Sequence, residues 1–135
     1  MTTRHVTGRI ESPAATVYDL AADPENLPRW AAGLAGASVE YVDGRWSTDS
    51  PMGRVSFTFA PRNDLGVLDH DVTLPTGETV TNPMRVLADG DGCEVVFTLR
   101  RRPGMSEDDF QRDATAVAAD LATLKALVEE SVAGA

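Results

Sequence analysis

At 135 residues, 42% of them hydrophobic, the chain can bury a real core, and a single domain over residues 1–135 is expected. Twelve basic against twenty-one acidic residues leave a formal net charge of −9, which argues against nucleic acid or an anionic membrane as partner. Cys93 is the lone cysteine, and neither a signal-like start nor a membrane-length apolar run is present, so a cytoplasmic protein without disulfides or membrane insertion is expected.

Residues from Arg4 to Ile10 read as a first strand, with Val6 and Ile10 on one face. Ser12-Pro13 fits an N-cap followed by proline at the first helical position. Val17, Tyr18 and Leu20 form the buried side of that short helix, which Asp23-Pro24 ends. A second helical turn is expected from Pro24 to Trp30, interrupted by Pro28, and the alanine- and glycine-rich residues 31–37 read as a connection.

From Ser38 to Arg101 the pattern has period two, broken by turn signals, which predicts consecutive antiparallel hairpins. Asp43-Gly44 is a two-residue turn that sets Val42 opposite Arg45, Tyr41 opposite Trp46 and Val39 opposite Thr48. Ser50-Pro51-Met52-Gly53 makes the next corner, after which Val55, Phe57 and Phe59 alternate with polar residues. Beyond a loop at Pro61-Arg62-Asn63-Asp64, the strand Gly66 to Leu74 carries Leu68, His70, Val72 and Leu74 in one phase. Asp69, Asp71 and Thr73 fall in the other. A three-residue turn at Pro75-Thr76-Gly77 places Val72 opposite Val80 and His70 opposite Asn82; a one-residue slip would send Val80 to solvent. Val80, Asn82, Met84 and Val86 continue in one phase, Asp89-Gly90-Asp91-Gly92 turns the chain, and Val95, Phe97 and Leu99 close the sheet. Arg100-Arg101-Arg102 reads as a solvated strand end.

Ser106 to Val132 is expected to be one helix of roughly 40 Å. Ser106 and Asp109 fit a capping box, and Asp108 stands four residues before Arg112 as an ion pair. Phe110, Ala114, Val117, Leu121, Leu124, Val128 and Val132 form one apolar stripe, with Asp113, Asp120 and Lys125 expected on the exposed side. No other helix is long enough to cover that stripe, so the sheet must.

This order of elements, with the opening Ile10-Glu11-Ser12-Pro13-Ala14-Ala15-Thr16-Val17-Tyr18-Asp19-Leu20 and the stretch Asp23-Pro24-Glu25-Asn26-Leu27-Pro28-Arg29-Trp30, resembles the SRPBCC (START-like, helix-grip) superfamily. Gly66-Val67-Leu68-Asp69-His70 and Asn82-Pro83-Met84-Arg85-Val86 look like those of small bacterial members labelled polyketide cyclase-like. The resemblance spans essentially the whole chain. It implies an α+β helix-grip fold, a curved antiparallel sheet of about seven strands wrapped around the long C-terminal helix, with two short helices after the first strand. It also implies an internal cavity for a small hydrophobic ligand. Members include cyclases, dehydratases, carriers, sensors and co-chaperone activators, so the fold alone does not choose a function. The glycine-rich loop of the plant allergen branch is absent, Asp43-Gly44-Arg45 standing there instead, and no catalytic motif is matched.

Several side chains fall on the inner face. His70 is either a core histidine satisfied by a neighbour, the commoner arrangement, or a general acid or base in an apolar cavity. Asn82 either orients a ligand or partners His70. Trp30 covers one cavity mouth or plugs it, and Trp46 with Tyr41 packs or stacks. Trp46, Phe57, Met84 and Phe97 complete the expected ligand-binding set with Trp30, His70 and Asn82. Arg85 is expected outward, unless a bulge at Pro83 turns it in. His5 and His70 are the only histidines, and alternation sends Asp69 and Asp71 to the face opposite His70, so neither metal nor cofactor is expected. Three functions fit: binding of a small hydrophobic molecule, cyclase or dehydratase chemistry with His70 moving protons and Asn82 or Arg85 holding an oxyanion, or an interaction module using the outer sheet face. Nothing in the pattern specifies an oligomeric state.

Overall fold

The alternation at the start of the chain is realised as β1 (Thr3–Ile10), which buries Val6 and Ile10. The computed structural model describes residues 2–34, 37–51 and 53–133, with side chains through residue 130. Helix α1 (Ala14–Ala21) follows and buries Val17, Tyr18 and Ala21, leaving Leu20 partly covered. Pro13 occupies its N-cap position, so Ser12 is not the expected cap. The Ser12 hydroxyl is instead buried without a partner, and the first helical bonds run from Thr16 and Val17 to the Pro13 carbonyl. A 3-10 turn (Pro24–Asn26) capped by Asp23 runs into α2 (Leu27–Trp30). Pro28 lies in the first turn of α2, where its missing N–H costs nothing, and so does not interrupt it. The expected connection contains a second 3-10 turn, Ala32–Leu34; Ala35 and Gly36 lie outside the described residues.

Eight strands occur among the described residues. After β1 come β2 (Val39–Val42), β3 (Arg45–Ser50), β4 (Gly53–Phe59), β5 (His70–Thr73), β6 (Thr79–Asn82), β7 (Met84–Asp89) and β8 (Gly92–Arg100). They form a three-stranded sheet, β1-β8-β7, and a five-stranded sheet, β2-β3-β4-β5-β6, all antiparallel. Asp43 and Gly44 both take positive φ, 52° and 78°, as a mirror-image hairpin turn needs, and Tyr41 faces Trp46 as the turn length dictates. Met52, in the expected corner after Ser50, lies outside the described residues.

The eighth strand arises from a break. Pro83 cannot donate to a ladder, so the run from Val80 to Val86 splits into β6 and β7. The facing segment splits with it. Gly66 and Leu68 bond to β7 (Val86 N to Gly66 O, Leu68 N to Met84 O, both 2.9 Å), while β5 joins the other sheet by pairing His70 with Phe59. Hence Gly66 to Leu74 is not one continuous strand. Asp69 holds the crossover: the Met84 amide donates to its Oδ1 at 2.9 Å, and the Arg85 Nη2 donates to its Oδ2 at 2.9 Å.

Helix α3 (Glu107–Ala133) closes the molecule. Ser106 caps it by accepting the Asp109 amide at 3.1 Å. Arg112 pairs with Asp109 at 2.9 Å rather than with the expected Asp108, one helical turn being spanned as well by three residues as by four. Phe110, Ala114, Leu121, Leu124 and Val128 are buried, chiefly across β1; the side chain of Val132 lies outside the described ones. Two of the three arginines at the end of β8 are paired, Arg101 with Glu107 and Arg102 with Glu78. Cys93 is buried and free, and no described helix is long and apolar enough to cross a membrane.

Candidate functional site

Between the five-stranded sheet and α3 lies a cavity of about 370 Å³. Period-two alternation aims Val55, Phe57 and Phe59 of β4, with His70 and Val72 of β5, into it. Phe97 of β8 forms one wall, and Val117 and Leu121 of α3 close the opposite side. Leu27 and Trp30 of α2, with Leu34 just beyond, and Ser50 and Pro51 complete the lining. Nearly all of this surface is hydrocarbon. A volume of this size with few polar groups has the character of a small-molecule site.

Of the residues expected to bind ligand, Trp30, Phe57, His70 and Phe97 line this cavity. Trp46, Asn82 and Met84 do not. Trp46 is one strand further out than Phe57, its cross-strand neighbour, and its ring packs on Tyr41 with centroids 5.1 Å apart. Met84 is only 1% exposed, sealed into the core after the Pro83 break moves it to the other sheet. Asn82 lines an adjoining cavity of about 250 Å³ that shares Val72, Phe97 and Val117 with the first. Arg85, bonded to Asp69, lines neither.

His70 and Asn82 face each other in the ladder, as the turn length requires. The imidazole is not satisfied by the amide, however: its Nδ1 lies 3.0 Å from the Leu68 carbonyl oxygen. A carbonyl only accepts, so Nδ1 carries the hydrogen and a neutral ring keeps Nε2 as acceptor. Phe59 stacks on the ring at 5.0 Å and Phe97 meets it edge-on at 5.7 Å. Burial pushes the His70 pKa down, opposed by the Leu68 bond and by the charges of Asp69 and Asp71. The neutral base therefore prevails at neutral pH.

Asp120, expected on the exposed side of the helix, belongs to the site instead. It is half-buried and lines the cavity, and its Oδ1 accepts the Ala32 amide at 3.0 Å. Burial raises its pKa, the Ala32 bond pulling the other way. A signal was available: Val117, Asp120, Leu121 and Leu124 share the i, i+3, i+4 spacing of one helix face. Trp30 Nε1 is buried without a hydrogen-bond partner. Among the described residues, no group of three His, Cys, Asp or Glu side chains is placed to hold a metal ion.

Known structures share this architecture. The protein XoxI from Bacillus cereus superposes with a TM-score of 0.74 at 13% identity, covering 95% of this chain and 96% of that one. Ara h 8.0201 gives 0.73 at 15% identity over 95% and 97% of the two chains. The di-domain ARO/CYC BexL from the BE-7585A biosynthetic pathway gives 0.74 at 18% identity, covering 96% of this chain and 47% of that one. At such identities the likeness is one of fold. In sequence, the chain is 36% identical over 119 residues to the solabiose phosphorylase of Paenibacillus borealis, an alignment covering 73% of this chain but only 15% of that protein. The family model described as polyketide cyclase/dehydrase and lipid transport matches residues 1–129, and the chain therefore belongs to that family.

Proposed function

We propose that this protein binds a small, predominantly apolar molecule in the cavity between the five-stranded sheet and α3, without turning it over. The observation that carries the reading is the cavity itself: about 370 Å³ bounded by Trp30, Phe57, Phe97 and the apolar flank of α3. Family membership supports a ligand-binding or cyclase role. Titration with the neutral dye N-phenyl-1-naphthylamine is expected to show one saturable site, with quenching of Trp30 and weaker binding in Phe57→Ala. Native mass spectrometry of protein purified from its host would then look for a co-purifying ligand. A folded protein with no saturable dye site would end this reading.

One observation favours a second reading, a cyclase or dehydratase. A neutral His70 lines the cavity and, its Nδ1 proton held by Leu68, keeps Nε2 available as a general base. Arg85 takes no part in that scheme, because Asp69 holds it outside the cavity. His70→Gln distinguishes the two: retained binding with loss of turnover of a poly-β-keto test substrate would mean an enzyme, and no turnover by wild type would leave binding.

A further inference from the structure

We infer that the cavity selects ligands whose apolar body carries a hydrogen-bond donor, a hydroxyl or an amine, and rejects carboxylates, with Asp120 as the residue that sets this selection. The inference rests on the binding reading above and concerns which molecules are admitted.

The polar side chains that line the cavity differ in what each can still offer a ligand. His70 has already given its Nδ1 proton to the Leu68 carbonyl at 3.0 Å, which leaves Nε2 to accept. The Ser50 hydroxyl donates to the Gly53 carbonyl at 2.8 Å. Trp30 Nε1 still has its proton, but the atom is sealed from solvent. Asp120 accepts the Ala32 amide through Oδ1, and Oδ2 receives no hydrogen bond from any described residue. Neither Nε2 of His70 nor Oδ2 of Asp120 is among the sealed, unpartnered atoms. Among the described residues, no lysine or arginine lines the cavity. The uncommitted side-chain capacity is thus acceptor capacity, and one acceptor carries a negative charge.

A ligand carboxylate entering this space would meet that charge in an apolar surround, with no side-chain donor to replace its water. A hydroxyl or amine would satisfy Oδ2 or Nε2. The presence of a carboxylate here is itself informative. A carboxylate accepts the Ala32 amide more strongly than an asparagine would, but it also brings a charge to an apolar wall, where an unpaired charge is costly. The upward pull of burial on the Asp120 pKa agrees with that cost.

The test uses four naphthalenes of matched size: 2-naphthol, 2-naphthylmethylamine, 2-methoxynaphthalene and 2-naphthoate. Their affinities are measured on the whole protein by calorimetry or by Trp30 quenching near pH 7.5. Wild type is expected to bind the naphthol, the amine or both at least about tenfold more tightly than the methoxy compound, with the naphthoate weakest of all. Which of the two donors leads distinguishes a hydroxylated from a cationic natural ligand. In Asp120→Asn, with folding checked by circular dichroism, the amine should lose about tenfold and the naphthoate should gain. Equal affinities for all four compounds in wild type, or a ranking unchanged by the substitution, would overturn the selection while leaving cavity binding intact. Binding of none of the four would overturn the binding reading and this inference with it.

Discussion

His70 gives up one ring nitrogen to the Leu68 carbonyl, and Phe59 and Phe97 cover its ring, so the charged form is disfavoured in the folded protein. The sign of the linkage follows. A folded pKa below the ordinary 6.5 means that the unfolded chain binds the proton more readily. The contribution to stability is complete above about pH 6.5 and is lost as the pH falls toward the folded-state value. His70→Phe removes this contribution. Denaturant melts are expected to show the variant gaining on wild type as the pH drops from 7.5 to 5.5. A difference between the two that stays flat across that range would mean that the ring titrates alike in both states.

At the scale of elements, the crossover between the sheets depends on Gly66. Its φ is +73°, and a Cβ there would lie 2.2 Å from the Val86 carbonyl oxygen, a backbone atom that cannot step aside. Gly77, in the β5–β6 turn, also has positive φ, +90°, but open space around it. The two glycines therefore separate conformational strain from overlap. Gly77→Ala should cost about 1 kcal/mol, from the left-handed conformation alone. Gly66→Ala should cost about 3 kcal/mol or more, because overlap adds to the strain. Equal costs in urea melts would show that the segment before β5 can move off β7.

For the whole molecule, the cavity sits where the stripe of α3 stops touching the other layer completely. Leu121 is buried yet borders the cavity, whereas Leu124, one turn on, is fully enclosed and lines no part of it. Truncation of a buried leucine costs about 2–5 kcal/mol, with the spread set by how many contacts vanish. Leu124→Ala should fall near the upper end and Leu121→Ala near the lower, since one side of Leu121 has no packing to lose. Leu121→Ala should also bind a bulkier naphthalene than wild type does. The reverse order of stabilities would mean that the space beside Leu121 is closed in solution.

Most of the architecture was legible from local rules. Alternation located the strands, the Asp43-Gly44 and Pro75-Thr76-Gly77 turns fixed their registers, and helical spacing identified the core of α3, because each of these patterns acts over a few residues. The pairing of His70 with Asn82 was readable for the same reason. Where the rules stopped, contacts outside the periodic pattern decided. The split at Pro83 depends on Asp69, fourteen positions earlier, being available to take the freed Met84 amide. The imidazole chose a carbonyl two residues away over the amide across the ladder. Asp120, a surface residue by its charge, became a wall of the cavity because the Ala32 turn folds over it. Local periodicity states which way a side chain points; only the packing of the second layer determines whether it meets solvent, core or an open cavity.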